Sequence, residues 1–222
     1  VDIGGGTTDI SVFYDGVLRH TAVIPYGGYI VTQDIRKGCG ILQRHAEQLK
    51  IQYGSALSDL APENKVVTIP SIIGQEAKEI TFKSLAHIIQ ARMAEVLAAI
   101  NYELENSGYA SSLSAGVVLT GGGSLLKNLV HLVNYELSMD ARIGSPNCTY
   151  SGESDMEVAA PIYSTSVGLM MKGVSFYEEP EEEAEYMEED EEKEFSGNIR
   201  HKGKRIFKRL NNVFADLFDD LD

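Results

Sequence analysis

Twice in this chain a short β-rich run enters three consecutive glycines followed by a hydroxyl residue. The first is Val1-Asp2-Ile3-Gly4-Gly5-Gly6-Thr7-Thr8-Asp9; the second, about 117 residues later, is Val117-Val118-Leu119-Thr120-Gly121-Gly122-Gly123-Ser124. Backbone without Cβ atoms can take positive φ and can bring its N–H groups close to a phosphate. A plain tight turn is the simpler reading of each run. Neither is a P-loop, because no Lys-Ser/Thr follows at the required spacing, and neither is Gly-x-Gly-x-x-Gly.

The residues around the first turn add chemistry. Thr7 and Thr8 offer hydroxyls to phosphate oxygens. Asp2 and Asp9 place a carboxylate on each side, which suits Mg²⁺, an oxygen-seeking ion that keeps its waters. The simpler alternative has both carboxylates bonding turn amides. At the second turn an apolar strand leads through glycines into a helix, whose N-terminus favours polar and anionic groups. Here the alternative is helix-on-strand packing.

Between and beyond the turns the pattern is mixed α/β. Ile10–Tyr14 and Val17–Ile24 read as strands joined by an Asp15-Gly16 tight turn. Tyr29–Arg36 and Ile41–Tyr53 read as helices, Val66–Ile69 and Glu79–Phe82 as short strands turning near Gly74. Ser84–Glu105 is the longest helix, with Leu85, Ile88, Ile89, Val96, Leu97, Ile100 and Leu104 near a 3.6 period. Ala115–Thr120 is a buried strand, Leu125–Leu137 a helix, Ala141–Ile143 a strand and Thr165–Lys172 a closing helix.

Charge divides the chain. The net charge is −14 over 222 residues, too acidic for a general nucleic-acid binder. Residues 178–194 carry 12 acids against one lysine, while 197–209 carry six Lys/Arg and no acid. The acidic stretch cannot bury enough surface to fold and reads as a linker. Cys39 and Cys148 form neither a disulfide framework nor a metal cluster, and the five histidines have no metal-ligand spacing. No apolar run is long enough to span a bilayer. A chain that opens on a strand already entering a turn reads as a fragment lacking an N-terminal part.

After Lys202 periodicity returns. Ile206, Phe207, Leu210, Val213, Phe214, Leu217, Phe218 and Leu221 fall on one helical face, with Lys204, Arg205, Lys208 and Arg209 on and before its first turns. An apolar, aromatic stripe with basic flanks suits an anionic membrane surface, at ~1 kcal/mol per basic residue. A helix packed on a partner protein or on the body is the alternative. Asp216, Asp219, Asp220 and Asp222 make the far end acidic, which opposes the helix dipole.

Asp2–Asp9 resembles the second phosphate motif of the actin-like ATPase superfamily, and Val117–Ser124 its adenosine motif, in the right order. Glu47 and Lys50 match the superfamily helix that borders adenine and ribose; alone they would be a solvated i,i+3 pair. Leu18–Gly28, Arg142–Pro146 and Tyr163–Leu169 are similar to the bacterial FtsA family of cell-division proteins. The resemblance covers residues 1 to about 172, and the tail by type, and matches only the family's second half.

That resemblance implies an actin-like (ribonuclease H-like) fold. Subdomain 2A would take 1–56 and 111–177 and subdomain 2B 57–110. A disordered linker, 178–197, and an amphipathic membrane-targeting helix, 198–222, would follow. It implies ATP and Mg²⁺ as cofactors of the full protein, with at most slow hydrolysis and none by this stretch alone. Gly4, Gly5, Gly6, Thr7 and Thr8 would contact phosphates and Asp2 and Asp9 would associate with Mg²⁺. Glu47, Lys50, Gly121, Gly122, Gly123 and Ser124 would face adenosine. Arg92 would receive the C-terminal peptide of the tubulin-like FtsZ, and Lys78 would lie near a filament contact. Lys204, Arg205, Ile206, Phe207, Arg209, Leu210, Phe214, Leu217 and Phe218 would hold the inner face of the cytoplasmic membrane at the division site. The rival readings are a pilus-assembly scaffold, chaperone or sugar kinase of the same superfamily, with a tail that binds a protein partner.

Overall fold

The computed structural model describes residues 1–69, 77–146 and 158–178. The turn near Gly74, the acidic linker past residue 178 and the whole tail helix lie outside the described residues. The chain divides into Val1–Gly173 and Val174–Asp222; the fold below is that of the first unit.

Alternation builds the first sheet. Strand β1 (Asp2–Ile3) pairs antiparallel with β2 (Thr8–Tyr14), and β2 with β3 (Val17–Ile24). Thr8, Ile10 and Val12 point inward and are buried, while Asp9, Ser11 and Phe13 are exposed. The hairpin turns at Asp15 (φ 52°) and Gly16 (φ 72°), two left-handed residues in succession, as a type I′ turn requires.

Strand β6 (Val117–Leu119) pairs parallel with β7 (Ala141–Ile143). It also joins β1, because Ile3 N–H donates to Thr120 O at 2.9 Å and Thr120 N–H to Val1 O at 2.8 Å. The strand order is therefore β3-β2-β1-β6-β7. The ends of β1 and β6, each entering a glycine run, lie side by side at its centre.

Helices α1 (Gly28–Cys39) and α2 (Gln43–Tyr53) follow the hairpin. A small antiparallel pair, β4 (Val66–Ile69) with β5 (Lys78–Thr81), leads into α3 (Phe82–Asn106). Thr81 caps α3, accepting from Ser84 N–H at 3.0 Å. The periodic residues of α3 are buried except Ile88, which is half-buried, and Met93 joins them. They share one core with Ile3, Ile10, Val31, Ile35 and, from α4 (Leu129–Leu137), Leu129 and Leu132. Helix α5 (Ser164–Glu178) ends the described residues.

One expectation fails locally. The second glycine run does not open a long helix. Gly122–Leu125 makes a single 3-10 turn, and α4 starts only at Leu129, after Asn128 at φ 61°. Asn128 Nδ2 donates to Ser55 Oγ at 3.0 Å, and Ala56 N–H to Lys127 O at 2.8 Å, which ties this link to the end of α2. Sequence spacing gives no sign of either bond.

Candidate functional site

The first glycine turn is closed by Gly4 N–H donating to Thr7 O at 2.9 Å. Its carbonyls face α1: Gly28 N–H donates to Gly4 O and Tyr29 N–H to Gly5 O, each at 2.8 Å. Two of the orphan donors at the start of α1 are satisfied this way. The approach is so close that a Cβ on Gly27 would sit 2.5 Å from Gly4 O. With the carbonyls committed, the N–H groups of Gly5 and Gly6 donate to no backbone carbonyl among the described residues. Successive free N–H groups in a turn make an anion-binding concavity. A Cβ on Gly5 or Gly6 would meet nothing within 4 Å, so packing inside the chain does not demand glycine there.

The second turn is built differently. Gly121 has φ 79°, and a Cβ there would overlap Asp2 Oδ1 and lie 2.7 Å from Ile3 O. A Cβ on Gly123 would overlap Ile3 Cγ2. Only Gly122 is loose, 3.8 Å from Ile162. Ser124 is buried and donates to Gly121 O at 2.7 Å. The turn is moored by Gly121 N–H to Pro161 O at 3.1 Å and by Thr120 Oγ1, hydrogen-bonded to Ser164 Oγ.

Asp2 and Asp9 are direct partners across β1 and β2. Directly opposed side chains share a sheet face with Cβ atoms about 5 Å apart, where like charges repel. Each carboxylate is relieved by one hydroxyl: Thr165 Oγ1 donates to Asp2 at 2.7 Å and Thr7 Oγ1 to Asp9 at 3.0 Å. Two carboxylates paired across the strands that flank this loop suit a hydrated divalent cation. Thr8 plays another part: it is buried and donates to Tyr26 O at 2.8 Å, pinning the approach to α1.

Glu47 and Lys50 on α2 join the first turn through α1. Lys50 Nζ donates to Gly28 O and to Thr32 Oγ1, each at 2.9 Å, and pairs with Glu47 at 2.9 Å. Thr32 also hydrogen-bonds Glu47. Lys50 thus stands one peptide unit from Gly4. Nothing in the sequence singles out Thr32; Gly27 and Thr165 fall inside two of the resembling segments, Leu18–Gly28 and Tyr163–Leu169, with no sign of these individual roles.

Arg92 does not stand alone on α3. Its guanidinium pairs with Asp34 of α1 through Nε and with Glu95 through NH1. The hydrogen bond to Asp34 raises its pKa above the usual value. Lys78 Nζ donates to Cys39 O at 3.1 Å and Gly40 O at 2.9 Å, capping the C-terminus of α1. Burial pushes the Cys39 thiol pKa up, making it a poor nucleophile. No helix of the described residues is long and apolar enough to cross a membrane.

The family model of the cell division protein FtsA matches residues 1–168. The chain belongs to the FtsA family. FtsA from Pseudomonas aeruginosa is 41% identical over 174 residues, covering 78% of this chain. This chain spans only 41% of that FtsA's length. Among solved structures, Spiroplasma citri MreB5 bound to ADP superimposes with a TM-score of 0.58 at 21% identity, over 80% of this chain and 51% of that one. The MamK double helical filament gives 0.52 at 15%, over 74% and 53%. The FtsA fold here is therefore actin-like, with the two glycine turns of the motifs at its centre.

Proposed function

We propose that this chain is the C-terminal half of an FtsA-type tether. It would supply one wall of an ATP–Mg²⁺ cleft, assemble into filaments and hold FtsZ filaments to the inner face of the cytoplasmic membrane during division. In this reading 1–56 and 111–177 form subdomain 2A and 57–110 form 2B. Gly4, Gly5, Gly6, Thr7 and Thr8 form the phosphate loop, with Thr8 as its anchor, and Asp2 and Asp9 place the hydrated Mg²⁺. Glu47, Lys50 and Gly121–Ser124 border the nucleoside, Arg92 takes the FtsZ tail peptide, and 198–222 lies on anionic lipid after the 178–197 linker.

The observation that carries the reading is the first turn: Gly5 and Gly6 have N–H groups with no backbone acceptor among the described residues, in a loop whose flanking strands pair Asp2 with Asp9. The ADP bound to MreB5 and the double helical filament of MamK support it by analogy of fold. Half a cleft supplies half of the phosphate contacts, so this chain alone binds ATP weakly or not at all. Micromolar affinity by calorimetry would refute that.

The tether is tested by liposome co-sedimentation of the 222-residue chain beside a version ending at Gly197. Anionic and neutral lipid at two salt concentrations are compared. The expected result is sedimentation of the longer chain only, with anionic lipid, weakened by salt. No sedimentation of either would move the tail to a protein partner.

A further inference from the structure

Arg92 lies at the joint of α3 with α1, between two carboxylates of unequal standing. Asp34 has a side chain 22% exposed and reaches across from α1; Glu95 is 67% exposed and sits one turn along α3. Together the three groups carry a net charge of −1, so this spot repels an acidic ligand as long as both carboxylates stay. One of them must yield for a ligand carboxylate to hold the guanidinium at two points. An exposed i,i+3 pair contributes little and exchanges readily with solvent, while the half-buried bridge to Asp34 is shielded and joins two helices. Nε is committed to Asp34 and NH1 to Glu95, so releasing Glu95 frees the outer edge for a two-point bond with a carboxylate. Ile88, one turn earlier on α3, is half-buried against the core, an i,i+4 neighbour of Arg92.

We propose that Glu95 is a built-in competitor for the acidic ligand of Arg92, and that Asp34 is the positioning residue that aims the guanidinium during the exchange. This rests on the reading of Arg92 as the receptor for the FtsZ tail. The device sets affinity low. A ligand must outbid Glu95 at every encounter, which suits a contact that is made many times along a filament and released.

The test is fluorescence anisotropy of a labelled FtsZ C-terminal peptide on the 222-residue chain and its variants. Arg92→Glu abolishes binding if Arg92 is the receptor; unchanged binding sinks that reading and the inference with it. Given that loss, Glu95→Gln tightens binding by about twofold to fivefold, the range for one exposed competing charge, and the gain shrinks in high salt. An unchanged or weakened affinity in Glu95→Gln, with Arg92→Glu still dead, overturns the competitor alone. Asp34→Asn weakens binding severalfold although it too removes a negative charge, and Asp34→Glu restores part of the loss. Tightening by Asp34→Asn would overturn its positioning role. Glu95 is exposed, so its variant keeps the fold and the central arm stays readable.

Discussion

A methyl group added at Gly121 or Gly123 would run into Asp2 or Ile3 of the neighbouring strand, whereas one added at Gly5 or Gly6 would meet nothing within 4 Å. The two runs look alike in sequence. In the second, packing of β1 against the turn accounts for two of three glycines. In the first, a Cβ on Gly4 would lie 3.2 Å from Thr7 O, and the next two glycines answer to nothing in the chain. A glycine run is thus a packing device in one place and, at the other, open backbone whose Gly5 and Gly6 amides have no backbone acceptor among the described residues.

The largest effect outside the two runs lies at Gly27. Gly27→Ala forces a Cβ against Gly4 O and Gly5 O, backbone atoms that cannot swing away. It costs about 3 kcal/mol by overpacking, roughly 10 °C of unfolding midpoint for a unit this size. A loss near zero would show that the first turn moves freely and is not held by α1.

Next in size is Lys50→Met, which strips the ammonium from Gly28 O and Thr32 and leaves Glu47 without its ion pair, held by Thr32 alone. The expected loss in chemical denaturation is about 2 kcal/mol. Adding Glu47→Gln recovers part of it, because the stranded carboxylate goes too; additive losses would deny the coupling.

Thr165→Val tests the relief of the opposed carboxylates. Without its hydroxyl, Asp2 faces Asp9 with one donor fewer, for a loss of about 1 kcal/mol that is larger at low salt. The same loss at all salt concentrations would mean that repulsion is not its source.

The smallest effect belongs to Glu63 and Lys83, a solvent-accessible pair far from either turn in sequence. The hydrogen bond from Lys83 holds the Glu63 carboxyl below its usual range. Its contribution is therefore present above the ordinary carboxylate pKa and fades as pH falls through the lowered value. Glu63→Gln shifts the midpoint by about 1 °C or less near neutral pH and by nothing in strong acid.

Much of the fold was legible because alternation in β2 and the 3.6 period of α3 are local signals. The Asp15-Gly16 turn was legible for the same reason. The start of α4 was not, since it is set by Asn128 and Ser55, 73 residues apart. The glycine turns could be found but not told apart: what separates them is the distance from each absent Cβ to Asp2 and Ile3. Arg92 was singled out, yet its partner Asp34 lies 58 residues away with no pattern linking them. The proposed lipid contact of the tail stays an argument from sequence, since the tail falls outside the described residues.

The most direct measurement sets the double variant Gly5→Ala/Gly6→Ala beside Gly121→Ala/Gly123→Ala in thermal unfolding of the 222-residue chain. Gly5 and Gly6 are predicted to be free of internal demands, so the first keeps its midpoint within about 2 °C. The second loses more than about 10 °C or fails to fold. Equal losses would contradict the account, because the first turn would then be held by the same packing as the second.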